Sequence, residues 1–175
     1  MPNFAPLSHP RLAIGLTVAL VMLTGAPAYA DSHRLMPRAV PPAYVQECAA
    51  CHIAYPPALL PAASWQRVMT GLARHFGTDA SLDAATVAQL SAWLKAEAGT
   101  GKRAAEEPPQ DRITRSAWFE RKHRKIDAAV WKLASVKSAA NCAACHSGAD
   151  KGNFDERGLR VPAGVDARSR RAWND

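Results

Sequence analysis

Residues 46–57 read QECAACHIAYPP, and residues 140–152 read ANCAACHSGADKG. Both stretches contain the pentapeptide CAACH, and together they use all four cysteines of the 175-residue chain. Three chemistries use a C-x-x-C pair. A zinc site gathers thiolates and histidines around a tetrahedral ion. A thioredoxin-like site cycles the pair as a disulfide, near a βαβ pattern. A c-type haem takes both thiols as thioether links, and the histidine that follows becomes an axial iron ligand. On a helical turn, two intervening residues set the sulfurs one vinyl-to-vinyl distance apart, and the next residue then points under the iron.

A redox disulfide has no need of histidine directly after the second cysteine, and here His52 and His146 both hold that place. A zinc site would have to gather its ligands across most of the chain, against the ~15–20 residues that separate the halves of common paired zinc motifs. The repeat therefore favours two covalently bound haem c groups. Cys48, Cys51 and His52 would hold the first, and Cys142, Cys145 and His146 the second.

The N-terminus gives the compartment. Arg11 precedes an apolar run, LAIGLTVALVML (residues 12–23), and Ala28-Tyr29-Ala30 forms an A-x-A cleavage signal before Asp31. Residues 1–30 read as a secretory signal peptide and are set apart from the fold. The apolar run falls short of the ~20 residues that a membrane-spanning helix needs. No second such run follows. A soluble, periplasmic mature protein without a transmembrane segment is expected, and a monomer.

Composition then divides the mature chain. Residues 95–110 (KAEAGTGKRAAEEPPQ) hold two glycines, two prolines and mixed charges, and read as a linker. One CAACH lies on each side, giving an N-terminal haem domain over residues 31–94 and a C-terminal one over 111–175. Each is small for an independent core, but a haem is a large apolar disc around which short helices can pack.

In the first domain, Pro41-Pro42 opens a helix that carries CAACH near its end. Pro56, Pro57 and Pro61 impose an extended loop. Ser64 is the expected N-cap of a helix WQRVMTGLARHF stopped by Gly77, and Ser81 of a helix LDAATVAQLSAWL. This order suggests a mainly α, class I cytochrome c-like fold. For a second axial ligand the candidates are Met69 and His75. Placed six apart on one helix, they lie about 240° around it and cannot both face one iron. His75 follows Val68, Gly71 and Leu72, an apolar face with room for a haem edge, whereas Met69 groups with core residues.

In the second domain, Ser116 is the expected N-cap of AWFERKHRKIDAAVWKLASV. His123 sits within a basic run, yet Phe119 and Ile126 place it beside an apolar stripe. It is the second distal candidate. His33 and Met36 are rivals close to the cleavage site, where chains are usually poorly ordered. After the second CAACH, Phe154, Leu159 and Val161 could fold back over a haem.

The blocks ECAACHIAYPPALLPAASWQRVMTGLARHFGTDASLD (47–83) and DRITRSAWFERKHRKIDAAVWKLASVKSAANCAACHSGADKGNFDE (111–156) resemble the small soluble dihaem cytochrome c family, DHC-type, of proteobacteria. The resemblance covers about Tyr44 to Pro162. It implies two c-type haems, each held by two histidines. It also implies an N-terminal class I-like domain followed by a less regular, mostly helical one. His75 and His123 match the family's other histidines, and which of them serves which iron is left open. The resemblance further implies electron delivery to a redox partner, such as a small high-spin cytochrome c, or exchange with a membrane cytochrome b.

With both axial positions filled by protein, no open iron position remains for substrate, so an electron carrier is expected and not an enzyme. Two other readings are a dihaem peroxidase-like enzyme, which needs an open iron, and the dihaem subunit of a larger periplasmic oxidoreductase. The net charge is +7, and residues 112–137 hold eight Lys and Arg against Glu120 and Asp127. Nucleic acid is the usual partner of such a run, but an exported protein would not normally meet it, and a redox-protein docking face or neutralisation of haem propionates is expected instead.

Overall fold

The computed structural model describes residue 1 and residues 35–173. Most of the expected signal peptide, its cleavage site, and His33 lie outside the described residues. Among the described residues four α-helices form: α1 (Pro42–Cys48), α2 (Ala62–Thr70), α3 (Ala84–Ala96) and α4 (Ala117–His123). Short 3₁₀ turns join them and account for most of the regular structure after α4. Among the described residues there is no strand beyond three isolated bridges. The fold is mainly helical, as the sequence predicts.

Helix α1 starts at a proline whose missing N–H costs nothing in the first turn. It ends at Cys48, where the Ala49 N–H closes on Val45, so the CAACH motif leaves the helix one residue after entering it. Helix α2 is entered through Pro61 and not through Ser64. Ser64 lies inside the helix, fully buried, and accepts a hydrogen bond from Arg67. The expected longer helix stops at Gly71, whose N–H closes on Arg67 and Val68, and a separate 3₁₀ turn carries Leu72–Arg74. Helix α3 is capped by Asp83 and not by Ser81. Asp83 Oδ1 accepts from the N–H groups of Ala85 and Thr86, and Oδ2 accepts from the Thr86 hydroxyl.

Helices α2 and α3 pack together, and Trp65, Met69, Leu90 and Leu94 are buried between them with Tyr44 and Leu60. The pairs Trp65/Met69 and Leu90/Leu94 are each four apart, one face of a helix turned inward. Trp65 donates its indole N–H to the Pro57 carbonyl at 2.7 Å, so its polar edge enters the core satisfied.

The stretch 95–110 begins inside α3 and then runs along this first cluster. The Gly99 N–H donates to Leu60. A side chain at Gly99 would collide with the Ala58 carbonyl and the Ala104 methyl, each 2.5 Å from an added Cβ. Arg67 on α2 reaches both Glu107 (2.7 Å) and Asp111 (2.6 Å).

Helix α4 is capped by Ser116, which accepts from the Phe119 N–H. The expected continuation past His123 does not form. Asp127 accepts from the Ala129 N–H, a local turn that competes with helix, and the chain proceeds through a 3₁₀ turn at Val130–Lys132. A second cluster lies beyond it, made of buried Val130, Val136 and Val165 with Ile126, Trp131, Leu133, Ala144 and Trp173 against it. Three buried valines are little core for the residues around them.

Candidate functional site

The two CAACH motifs occupy different backbone settings. Cys48 ends α1, and Cys51 and His52 follow in a turn. Cys142–Ala144 form a 3₁₀ turn, with the Cys145 and His146 N–H groups both closing on the Cys142 carbonyl at 3.2 and 2.9 Å. The chain then returns across this second motif. Ser147 donates its N–H to Gly158, Arg160 donates its own to Cys145, and the Arg160 side chain reaches the Ala143 carbonyl. Phe154 meets the His146 ring edge-on with centroids 5.3 Å apart, and Leu159 bridges His146 through the backbone.

His75 reaches the first motif through a sharp reversal. Phe76 (φ +49°) and Gly77 (φ +101°) both take positive φ, and the Thr78 N–H closes on the His75 carbonyl. Phe76 thereby adopts a conformation that few bulky residues accept. The His75 ring faces His52 at 6.1 Å between centroids, with planes 32° apart. Met69, six residues earlier, lies in the core as expected. The break at Gly71 separates the two, so they do not share one helix.

In the second half, His123 faces His146 at 6.2 Å, with planes 79° apart. Its other face stacks on Phe119 at 3.9 Å, and Trp131 closes the side at 5.9 Å. The four histidines thus form two facing pairs, His52 with His75 and His146 with His123.

The spacing can be tested against a metal between the rings. A metal–imidazole bond of about 2 Å on each side, plus about 1 Å from nitrogen to ring centre, gives about 6 Å between centroids. Both pairs fit. His52 and His123 each turn Nδ1 to a backbone carbonyl, of Ile53 (2.6 Å) and Phe119 (2.8 Å). A carbonyl only accepts, so Nδ1 carries the proton and Nε2 keeps its lone pair. His146 is half-buried, and its Nδ1 is buried with no protein group as partner, the kind of orphan that a bound group resolves.

Burial disfavours the charged form of three of these histidines. It lowers the pKa of His75 and His123, and that of His146 to about 4, with the facing histidine adding to the effect at His75 and His146. Burial likewise pushes the thiols of Cys48 and Cys142 up to about 11. The four cysteines are unpaired thiols. No group of three or more His, Cys, Asp or Glu among the described residues is gathered to hold a bare ion. The donors come as two imidazoles and two thiols per site, which suits a macrocycle that brings four nitrogens of its own.

Sequence reasoning missed Tyr55. Its ring stacks on His52 at 4.7 Å, with planes 30° apart, and its hydroxyl donates to the Ala140 carbonyl at 2.7 Å, beside the second motif. The visible signal was its place: an aromatic three residues after the motif histidine, held by the two prolines that come next. Phe76, which groups by sequence with Trp65, Met69 and Leu72 as core, is exposed instead, and the Arg112 guanidinium lies over its ring at 4.4 Å.

The dihaem cytochrome c family model matches residues 44–154. Among solved structures, DHC purified from Rhodobacter sphaeroides is 43% identical, covers 66% of this chain and 98% of its own length, and superposes with a TM-score of 0.58. A diheme cytochrome type c from Shewanella baltica is 37% identical over 71% of this chain and 96% of its own, with a TM-score of 0.62. No curated protein matches.

Proposed function

The chain belongs to the dihaem cytochrome c family, and from that premise we propose that it is an exported electron carrier with two bis-histidine haem c groups. Cys48, Cys51, His52 and His75 would hold one group. Cys142, Cys145, His146 and His123 would hold the other. Bound haem supplies one-electron iron chemistry. The protein supplies ligands, orientation and exclusion of water.

The observation that carries this reading is the pair of facing imidazoles, 6.1 and 6.2 Å apart, one of each pair directly after a C-x-x-C. Two protein ligands per iron leave no position for a substrate, so the protein relays electrons and does not activate ligands. Both ligands are imidazole, so the potentials lie below those of His/Met carriers. Met69 is buried in the helical core and Met36 packs on the same cluster.

The apolar run at residues 12–23 and the A-x-A sequence before Asp31 support export to the periplasm by a cleaved signal peptide. No helix among the described residues is long and apolar enough to cross a membrane. The partner is a redox protein, either a high-spin cytochrome c or a membrane cytochrome b. The test is intact mass together with a pyridine haemochrome count on the mature protein. A chain starting at Asp31 with two covalent haems is expected; one haem, or alkylatable thiols at Cys142 and Cys145, would contradict the assignment.

A further inference from the structure

Tyr55 touches both candidate haem sites. Its ring lies on the face of His52, the histidine of the first motif, at 4.7 Å. Its hydroxyl donates to the Ala140 carbonyl, 85 residues away in sequence. That carbonyl also accepts the Cys142 N–H at 3.0 Å and lies 3.6 Å from the Cys142 sulfur. One oxygen therefore joins Tyr55 to the first cysteine of the second motif. On the other side, buried Tyr44 donates to the Tyr55 backbone carbonyl at 2.5 Å, and Pro56 and Pro57 fix the chain beyond. The residue is held from its backbone and reaches out with its hydroxyl.

We propose that Tyr55 is a positioning residue that locks the two haem sites in register and completes a bonded route between them. The route runs through this chain's own groups: the His52 ring, the stacked Tyr55 ring, its O–H···O=C bond to Ala140, and the backbone into Cys142. One electron leaves one site and enters the other. Tyr55 is neither oxidised nor deprotonated, and burial holds its phenol pKa above the ordinary value. A hydroxyl that only anchored a loop could have used any nearby carbonyl. This one bonds the carbonyl that Cys142 also uses.

This inference rests on the two-haem carrier reading, and the test separates the two. Electron exchange between the haems is measured in the half-reduced holoprotein by NMR exchange spectroscopy, for wild type, Tyr55→Phe and Ser135→Ala. Tyr55→Phe keeps the ring and deletes only the hydroxyl. It should slow exchange several-fold, with two haems still attached and the low-spin signature of the first site retained. Ser135→Ala deletes a hydroxyl–carbonyl bond of the same length, to Ala163, outside the route, and should exchange like wild type. Wild-type exchange in Tyr55→Phe, or equal slowing in both variants, overturns the role of Tyr55. A wild-type protein without two low-spin haems sinks the carrier reading itself, and this inference with it.

Discussion

At the scale of single residues, ligation depends on how each histidine is aimed. His123 is held on three sides: Phe119 stacks on it, the Phe119 carbonyl takes its Nδ1 proton, and Trp131 closes the flank. Its Nε2 is left with a lone pair, the preorganisation that a hydrogen bond at the far ring nitrogen gives a metal ligand. Replacing His123 with Ala should convert one of the two haems to high-spin while both stay attached, because the thioether links do not depend on it. EPR of the ferric variant checks this; two remaining low-spin haems would exclude His123 as a ligand. The motif residues were legible from the sequence because C-x-x-C-H is local. His123 was legible from Phe119 at i−4. The pairing was not, because it depends on the Phe76–Gly77 reversal and on the return of residues 154–160 across the second motif. The first is built on positive φ at Phe76 and Gly77 and the second on backbone bonds from Ser147 to Gly158 and from Arg160 to Cys145, neither of which any periodicity announces.

At the scale of elements, the helices were found but two of their starts were not. Ser64 and Ser81 both look like caps in sequence, yet proline at position 61 and aspartate at position 83 took those roles. The helix expected past His123 was lost to the Asp127 turn. Apolar spacing sets where a helix packs, and short polar side chains decide where it stops. The segment after α3 is tied down by Arg67, which pulls the Asp111 carboxyl below its usual range. Asp111 and its neighbour Gln110 both have positive φ, so this ion pair holds an otherwise disfavoured turn. Lowered in the folded state, the Asp111 pKa contributes stability that is present above about pH 3.9 and is lost as pH falls through the folded value. Asn accepts positive φ as Asp does. Asp111→Asn should therefore lower Tm at neutral pH, and the gap from wild type should close under acid. A gap that persists unchanged to low pH would point to packing and not to the charge.

At the scale of the whole molecule, the first half has an aromatic and aliphatic core of its own, whereas the second is organised around three valines and the rings beside His123 and His146. That asymmetry explains why the first half read clearly in the sequence as helix, loop, helix, helix, and the second did not: its buried cluster is small and joined by short 3₁₀ turns, which leave no periodicity to read. The basic run on and around α4 is the other global feature. Arg121, Lys122, Arg124 and Lys125 are all exposed, on and just after the element that ends at His123. Complementary charge chiefly speeds encounter and sets orientation, and salt screens it over a Debye length of about 10 Å at 0.1 M. Electron transfer to an acidic redox partner should slow as ionic strength rises. Charge reversal at Lys122, Arg124 and Lys125 should slow it at low salt with the haem potentials little changed. Stopped-flow rates that are flat with salt would remove the docking role.

The central claim is that two histidine pairs each close on one iron, and low-temperature EPR of the untreated ferric protein tests it most directly. The near-parallel rings at the first site and the near-perpendicular rings at the second predict two distinct low-spin ferric signals of equal spin count with no high-spin component. A high-spin signal in the resting protein would mean an open iron, and would contradict a carrier closed on both sides.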